Sequence, residues 1–349
     1  MTTSELEING QFSVYRRNRF IKLLVLFSLS LLMAISFIWD LSSGPSSYGL
    51  YEVGQCLVDC KDPKLEIILW EIRMPIALIA LLVGAMLSCA GAQMQTILSN
   101  PLADPFTLGV SAAAAFGAAL TFVLDWALLP IAGLYIVSVN AFIFAMLSVF
   151  VLFGISKLRG VGYQTLVLAG IALMFSFNAL LAFLQYIASE DALQQLVFWT
   201  LGSLSRANFE KVNICTLVLV SMLAFFFYNR DQLTALQFGD EQARSMGVNV
   251  DKLRLFSLLA CALLASVAVA FVGTIGFVGL VAPHIARMLL GEDQRYFLPG
   301  SILVGACLLS IASVLSKLVV SGTLLPIGIT TSLIGIPCFF ILIFSIRQK

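Results

Sequence analysis

Charge is what this chain of 349 residues has least of: Asp, Glu, Lys and Arg make up 11% of it, where a soluble domain carries about 25%. Apolar residues make up 60%, which excludes a soluble globular protein and reads as a polytopic membrane protein. Histidine is nearly absent. The single His284 follows Pro283, so no histidine cluster can build a metal site, and packing or hydrogen bonding is left as its role. The seven cysteines include no C-x-x-C pair; Cys89, Cys215, Cys261, Cys307 and Cys338 lie in apolar runs as small packing residues. Cys56 and Cys60 share a polar loop and are either a disulfide, if that loop faces an oxidising compartment, or two free thiols. With a net charge of +1 and basic residues scattered singly, there is no nucleic-acid footprint. No pair of Asp-rich motifs is present to hold Mg²⁺ for an intramembrane transferase. Apart from Lys317 near an outer end, no ionisable residue lies well inside an apolar run. A proton-coupled carrier needs such a group, so the power for any transport is expected from a partner.

What is present is a series of apolar runs of membrane-spanning length. Residues 1–22, with Arg16, Arg17, Arg19 and Lys22, form an N-terminal tail, and an apolar run follows to about residue 39 without a small-x-small cleavage site, a first span rather than a signal peptide. A polar loop over 40–73 comes next, then Pro75 at the first turn of a second span, about 76–98. Pro101 and Pro105 break the helix in the tight connector 99–105. Further spans fit 108–124, 129–154, 164–186, 212–228, 255–272, 276–290, 297–318 and 327–346. The expectation is an all-α chain of about ten transmembrane helices forming a single transmembrane domain, 23–346. The larger share of the twenty basic residues, Lys157, Arg159, Arg347 and Lys349 among them, then falls on the side of the N-terminus. By the positive-inside rule that side is the cytoplasm, which puts residues 230–254 inside and the loop 40–73 outside.

Residues 230–254 are the most polar segment of the second half. Within it Gly239 and Gly247 bracket a short helix, Asp240 and Glu241 complement its dipole, and Met246 offers an adaptable apolar contact. The segment is either a solvated connector or a handle by which something outside the membrane moves the spans it joins. Small residues crowd the spans: Gly84, Gly91 and Ala92 in the second, Ala112 to Ala115 in the third, and Gly273, Gly276 and Gly279 before the eighth. The last series looks like a phosphate loop but has neither a strand before it nor a lysine, so close helix packing and helix breaking are expected.

Five blocks carry a resemblance. They are Arg73-Met-Pro-Ile76 with Gly91-Ala-Gln-Met-Gln95; Asn100-Pro101-Leu-Ala-Asp104-Pro105 with Leu108-Gly-Val-Ser111; Gly239-Asp-Glu-Gln-Ala243-Arg244-Ser-Met-Gly247; Gly276-Phe-Val-Gly279-Leu-Val-Ala-Pro283-His284-Ile-Ala-Arg287; and Leu325-Pro326-Ile-Gly328 with Gly335-Ile-Pro337. In this order they resemble the FecCD-type permeases, the membrane subunits of type II ABC importers for iron–siderophores, haem and vitamin B12. The resemblance runs from about residue 20 to the C-terminus. It implies the permease fold of that family in a bacterial inner membrane, two permease subunits, identical or paired with a relative, around one pathway, an ATPase subunit under each and a periplasmic substrate-binding protein outside. No cofactor is implied, since ATP is bound by the partner. Glu241-Gln-Ala243 and Gly247 are similar to the EAA loop of ABC importers, so residues 239–247, Arg244 included, are expected to contact the ATPase.

The family's Arg-x-Pro-Arg motif offers arginines to carboxylates of the binding protein. Here Arg73 matches the first and Ile76 replaces the second. Its Asp-x-x-x-Arg appears as Ser313 and Lys317, and its Glu-Leu-Pro as Leu324-Leu325-Pro326. Arg73 and Lys317 are therefore expected as docking charges, or Arg73 as a helix-end anchor. The fifth and tenth spans line the path in these permeases. In the fifth, Asn178 and Gln185 are two turns apart on one face, as pathway residues or as bonds between helices. Phe175, Phe177 and Phe183 give an apolar wall, which suits a bulky chelate better than a bare ion. The expected cargo is a ferric siderophore, with haem or vitamin B12 as the alternative. From another class, an ion-coupled secondary transporter would need no ATP and an intramembrane enzyme would turn over a lipid.

Overall fold

The computed structural model describes residues 3–44, 48–129, 135–156, 163–319 and 324–346. Lys157, Arg159, Arg347 and Lys349 of the charge pattern, and residues 130–134 of the expected fourth span, lie outside these. Among the described residues all regular structure is helical: α1 (Thr3–Ser42), α2 (Leu50–Val58), α3 (Pro63–Ile67), α4 (Met74–Ile97), α5 (Val110–Leu124), α6 (Ile136–Ser156), α7 (Tyr163–Ile187), α8 (Glu190–Thr200), α9 (Phe209–Tyr228), α10 (Arg230–Ala235), α11 (Asp240–Ser245), α12 (Val250–Val272), α13 (Val278–Leu290), α14 (Gln294–Leu318) and α15 (Ile327–Ile346). Among the described residues seven stretches are long and apolar enough to cross a membrane, and α5, α13 and residues 327–340 of α15 are shorter apolar helices. Together they occupy the ten expected spans.

The centre is α4, buried along nearly its whole length. It can pack so closely because its small residues face small residues. A Cβ on Gly84 would stand 2.3 Å from Gly305 O, and one on Gly91 only 1.8 Å from Gly279 O; Ser88 Oγ donates to Ser301 O at 2.6 Å. Without a hydrophobic drive between helices in lipid, such approach is what holds spans together. On one side α4 meets α14, α13 and α1; on the other, α5 packs against α6, α7 and α8, and α12 bridges the two groups.

Two boundaries differ from expectation. Residues 40–73 are largely helical, with α2 and α3 capping the bundle end. Asp62 caps α3, its Oδ1 accepting from Lys64 N at 2.9 Å, and Pro63 occupies the first turn. From there the chain runs through a π-helical turn, Ile68–Arg73, straight into α4. Pro75 thus lies inside a continuous helical run, where the wider turn before it relieves the clash of its ring with the preceding turn. The structure also forms a disulfide between Cys56 and Cys60.

Candidate functional site

Two non-helical stretches interrupt the spans, 99–109 before α5 and 273–277 before α13. Irregular backbone at membrane depth is tolerated only where it is buried in protein or lines a cavity, and here both line one. In the first, Asn100 Oδ1 accepts from Leu102 N at 3.0 Å. Asp104 Oδ1 accepts from Phe106 N and from Thr107 N at 3.2 Å, and Thr107 Oγ1 donates back to Asp104 O at 2.8 Å. Pro101 and Pro105 have no N–H to satisfy, so the short polar side chains satisfy the turn and aim it back at α5. In the second, the ends of α8 and α12 and the start of α15 are stitched by backbone bonds: Ser203 N to Val272 O at 2.7 Å, Ile327 N to Gly202 O at 3.1 Å and Gly328 N to Leu201 O at 2.9 Å. Gly328 is required by space, since a Cβ there would lie 2.5 Å from Leu201 O.

These segments line an open cavity of ≈ 560 Å³. Asp104, Gly276 and Gly328, expected from the motifs, meet there with Thr107, Thr200, Thr274, Ser332 and the apolar Phe106, Phe277, Leu333 and Ile336. Sequence reasoning missed the hydroxyl residues, whose only signal was their place beside helix-breaking glycines. Asn100, Pro101, Pro105 and Pro326 shape the turns. Gly279 serves the approach to α4.

At the α4–α13 contact, Arg287 Nη2 donates to Gln95 Oε1 at 3.0 Å, its Nε lies 3.4 Å from Glu292, and the guanidinium sits 5.1 Å over the Phe297 ring. Gln95 and Arg287 are thus brought together across helices. Pro283 is buried in α13 and His284 half-buried beside it.

The segment from α10 to α12 stands at the end of the bundle where Lys22 of α1 lies 5.0 Å over the Tyr296 ring. Gly239 (φ 100°) and Gly247 (φ 84°) flank α11 in backbone shapes that favour glycine, although a Cβ at either would touch nothing within 4 Å. Asp240 is held by Arg254 in a two-pronged contact of 2.9 and 3.1 Å, and Arg254 Nε also donates to Ile97 O at 2.6 Å. The hydrogen bonds from Arg254 to its carboxylate hold Asp240 below its ordinary range. Arg244 pairs with Asp251 at 3.1 Å, and Ala243 is buried. Asp240, Ala243 and Arg244 therefore fix α11 to the bundle, while Glu241 is exposed and the apolar Phe238 and Met246 are 60% and 61% exposed.

At the opposite end Arg73 and Lys317, expected as docking charges or, for Arg73, as a helix-end anchor, are both engaged within the chain. Arg73 is 4% exposed and donates to Leu41 O at 3.0 Å and Ser42 O at 3.3 Å. Lys317 Nζ donates to Asp40 O at 3.0 Å and Asp40 Oδ1 at 2.7 Å, with the Asp40 side chain fully buried. Both cations satisfy carbonyls of the last turn of α1, groups that a helix leaves unpaired. The carboxylate that the resemblance expects at position 313 is supplied by Asp40, to which Ser313 Oγ donates at 2.9 Å. Asn178 is exposed and Gln185 half-buried on α7, a helix exposed along most of its length, and neither lines the cavity.

The FecCD transport family matches residues 32–345. The hemin transport system permease protein of Yersinia pestis is 39% identical, over 80% of this chain and 84% of its own length. The vitamin B12 import system permease protein of Serratia proteamaculans is 33% identical over 92% of each. Among solved structures, an inward-facing conformation of a metal-chelate type ABC transporter superposes with a TM-score of 0.81 at 30% identity, covering 92% of this chain and 99% of that one.

Proposed function

The chain belongs to the FecCD transport family and is a multi-pass ABC importer permease, and from that premise we propose that it carries a ferric siderophore across the bacterial inner membrane. Power comes from a separate ATPase subunit that grips residues 239–247 from the cytoplasm. The observation that carries this coupling is α11 itself, tied to the bundle by Asp240 and Arg254 while Glu241, Phe238 and Met246 stay exposed beside it. A rigid, anchored helix with an apolar and acidic outer face is suited to transmit force rather than absorb it. A substrate-binding protein docks on the end formed by α2 and α3, in the periplasm, where the Cys56–Cys60 disulfide is chemically at home. A second permease, identical or related, faces the exposed side of α7, and Asn178 and Gln185 belong to the shared pathway.

The iron chelate is favoured by the cavity wall, apolar with hydroxyls and one carboxyl, which offers a bulky complex a smooth surface but gives a bare ion no ligand set. Haem is the second reading, supported by the hemin permease of Yersinia pestis, and vitamin B12 the third. The test of coupling is co-purification of an ATPase subunit in mild detergent, against a variant whose residues 239–247 are replaced by a Gly/Ser run. Loss only in the variant supports the reading; no ATPase with either form overturns it. The cargo is tested by competing uptake of an iron-labelled siderophore with haem and cobalamin.

A further inference from the structure

The buried ion pair at the outer end of α1 does more than the family reading requires of it. α1 is peripheral, its membrane-length window only 6% buried, and it packs chiefly along α14. Its last turn nevertheless leaves no carbonyl unpaired. Trp39 O accepts from Ser42 Oγ at 2.9 Å and Ser43 Oγ at 2.8 Å; Asp40 O accepts from Lys317; Leu41 O and Ser42 O accept from Arg73. Two cations, from α14 and from the π turn leading into α4, thus converge on one helix end. Asp40 adds its carboxylate to Lys317, and a Cβ on Gly44 would come within 3.0 Å of Arg73 Nη2, so the chain leaving α1 folds directly over the guanidinium.

One atom does not fit a purely stabilising role. Asp40 Oδ2 is buried with no hydrogen-bond partner, although burying an unpaired carboxylate oxygen is costly. A pair optimised for stability alone would satisfy it or be replaced by apolar groups, which is frequently neutral or better.

We propose that Asp40 is a positioning residue of the transport cycle: with Lys317 it fastens the outer end of α1 to α14 and, beside Arg73, to α4, so that these three helices move as one body when the binding protein docks. This rests on the permease reading given above. The cations that the resemblance assigns to docking act inward, and force from a docked protein reaches α4 and α14 through the end of α1.

The complete transporter, with its ATPase subunit, in nanodiscs, tests this by its rate of ATP hydrolysis with and without the cognate binding protein. Asp40→Asn or Lys317→Met alone leaves one buried charge, and a drop in yield is expected. The double variant D40N/K317M removes both charges. It is expected to assemble and melt close to the unchanged protein, yet to lose about threefold to tenfold of the stimulation by binding protein, the range over which such coupling is tuned. Recovery of both stability and stimulation in the double variant overturns the proposal and leaves the pair purely structural. Should the double variant not assemble, Lys317→Arg carries the test. Stimulation within about twofold of the unchanged protein supports the ion pair, and its loss at normal assembly overturns it. Failure of the unchanged protein to assemble with any ATPase would instead strike the permease reading, independently of the variants.

Discussion

Glycine has two different duties in this chain, and single substitutions separate them. At Gly91 the requirement is space. A methyl group would lie 1.8 Å from Gly279 O, backbone that cannot swing aside, so Gly91→Ala forces α4 and α13 apart at a cost of about 3 kcal/mol or more. The expected outcome is a large fall in melting temperature of the detergent-solubilised protein. At Gly239 the requirement is conformation, since nothing lies within 4 Å of a Cβ but φ is 100°. Gly239→Ala strains α11 by about 1–3 kcal/mol locally and is expected to leave the melting temperature unchanged while lowering ATPase recovery on co-purification. Asp240 adds a pH dependence. Its carboxyl lies below its ordinary value because Arg254 hydrogen-bonds the charged form. The anchoring of α11 is therefore full above the ordinary carboxylate range, about 3.9, and is lost as pH falls through the lowered folded value. Hydrogen exchange over 236–247, corrected for intrinsic rates, should show protection falling at acid pH in the unchanged protein and low at every pH in Asp240→Asn.

At the scale of elements, α11 invites the sharpest test. Ala243 is buried and Asp240 and Arg244 are engaged within the chain, so Glu241 is left as the exposed acid of its first turn. Glu241→Lys is expected to weaken ATPase association about tenfold, the loss of about 1.4 kcal/mol at a contact position, without changing the fold; unchanged recovery of the ATPase would remove α11 as the contact. This element was legible in the sequence because two glycines bracket a polar run between apolar spans. The ten spans were legible for the same reason, length and composition being enough for lipid. The helices α2, α3 and α8 were not. They are too short for a span-length signal, and α8 starts on nothing louder than Ser189, whose Oγ accepts from Ala192 N at 3.3 Å, with two acids behind it. Least legible was the fate of Arg73 and Lys317. The carboxylate paired with Lys317 lies 277 residues away in sequence, at the end of a helix whose last turn was read as loop. No local pattern announces that a cation will cap a distant helix rather than face solvent.

For the whole molecule, the packing defines two groups of helices with α12 between them, and the cavity opens where α5, α8, α13 and α15 come together at the ends of irregular segments. Helices that touch through glycine and backbone, as α4 does α14 and α13, cannot shear without clash, so rearrangement is expected at the irregular segments and not along α4. If the cavity is part of the pathway contributed by this chain, filling it must obstruct cargo without disturbing power. Ser332 and Leu333 line it from α15, one turn beyond the stitched backbone at Gly328, and they take no part in those backbone bonds or in the contact at α11. Ser332→Trp is therefore expected to leave assembly with the ATPase intact while lowering uptake of a labelled ferric siderophore about tenfold, the effect of a passage barrier raised by about 1.4 kcal/mol. A smaller residue, Ser332→Ala, should leave uptake near normal, since it removes one hydroxyl among several and no volume is added. Equal uptake by the tryptophan variant would take the cavity out of the cargo's route and leave that route to the exposed side of α7, where Asn178 stands.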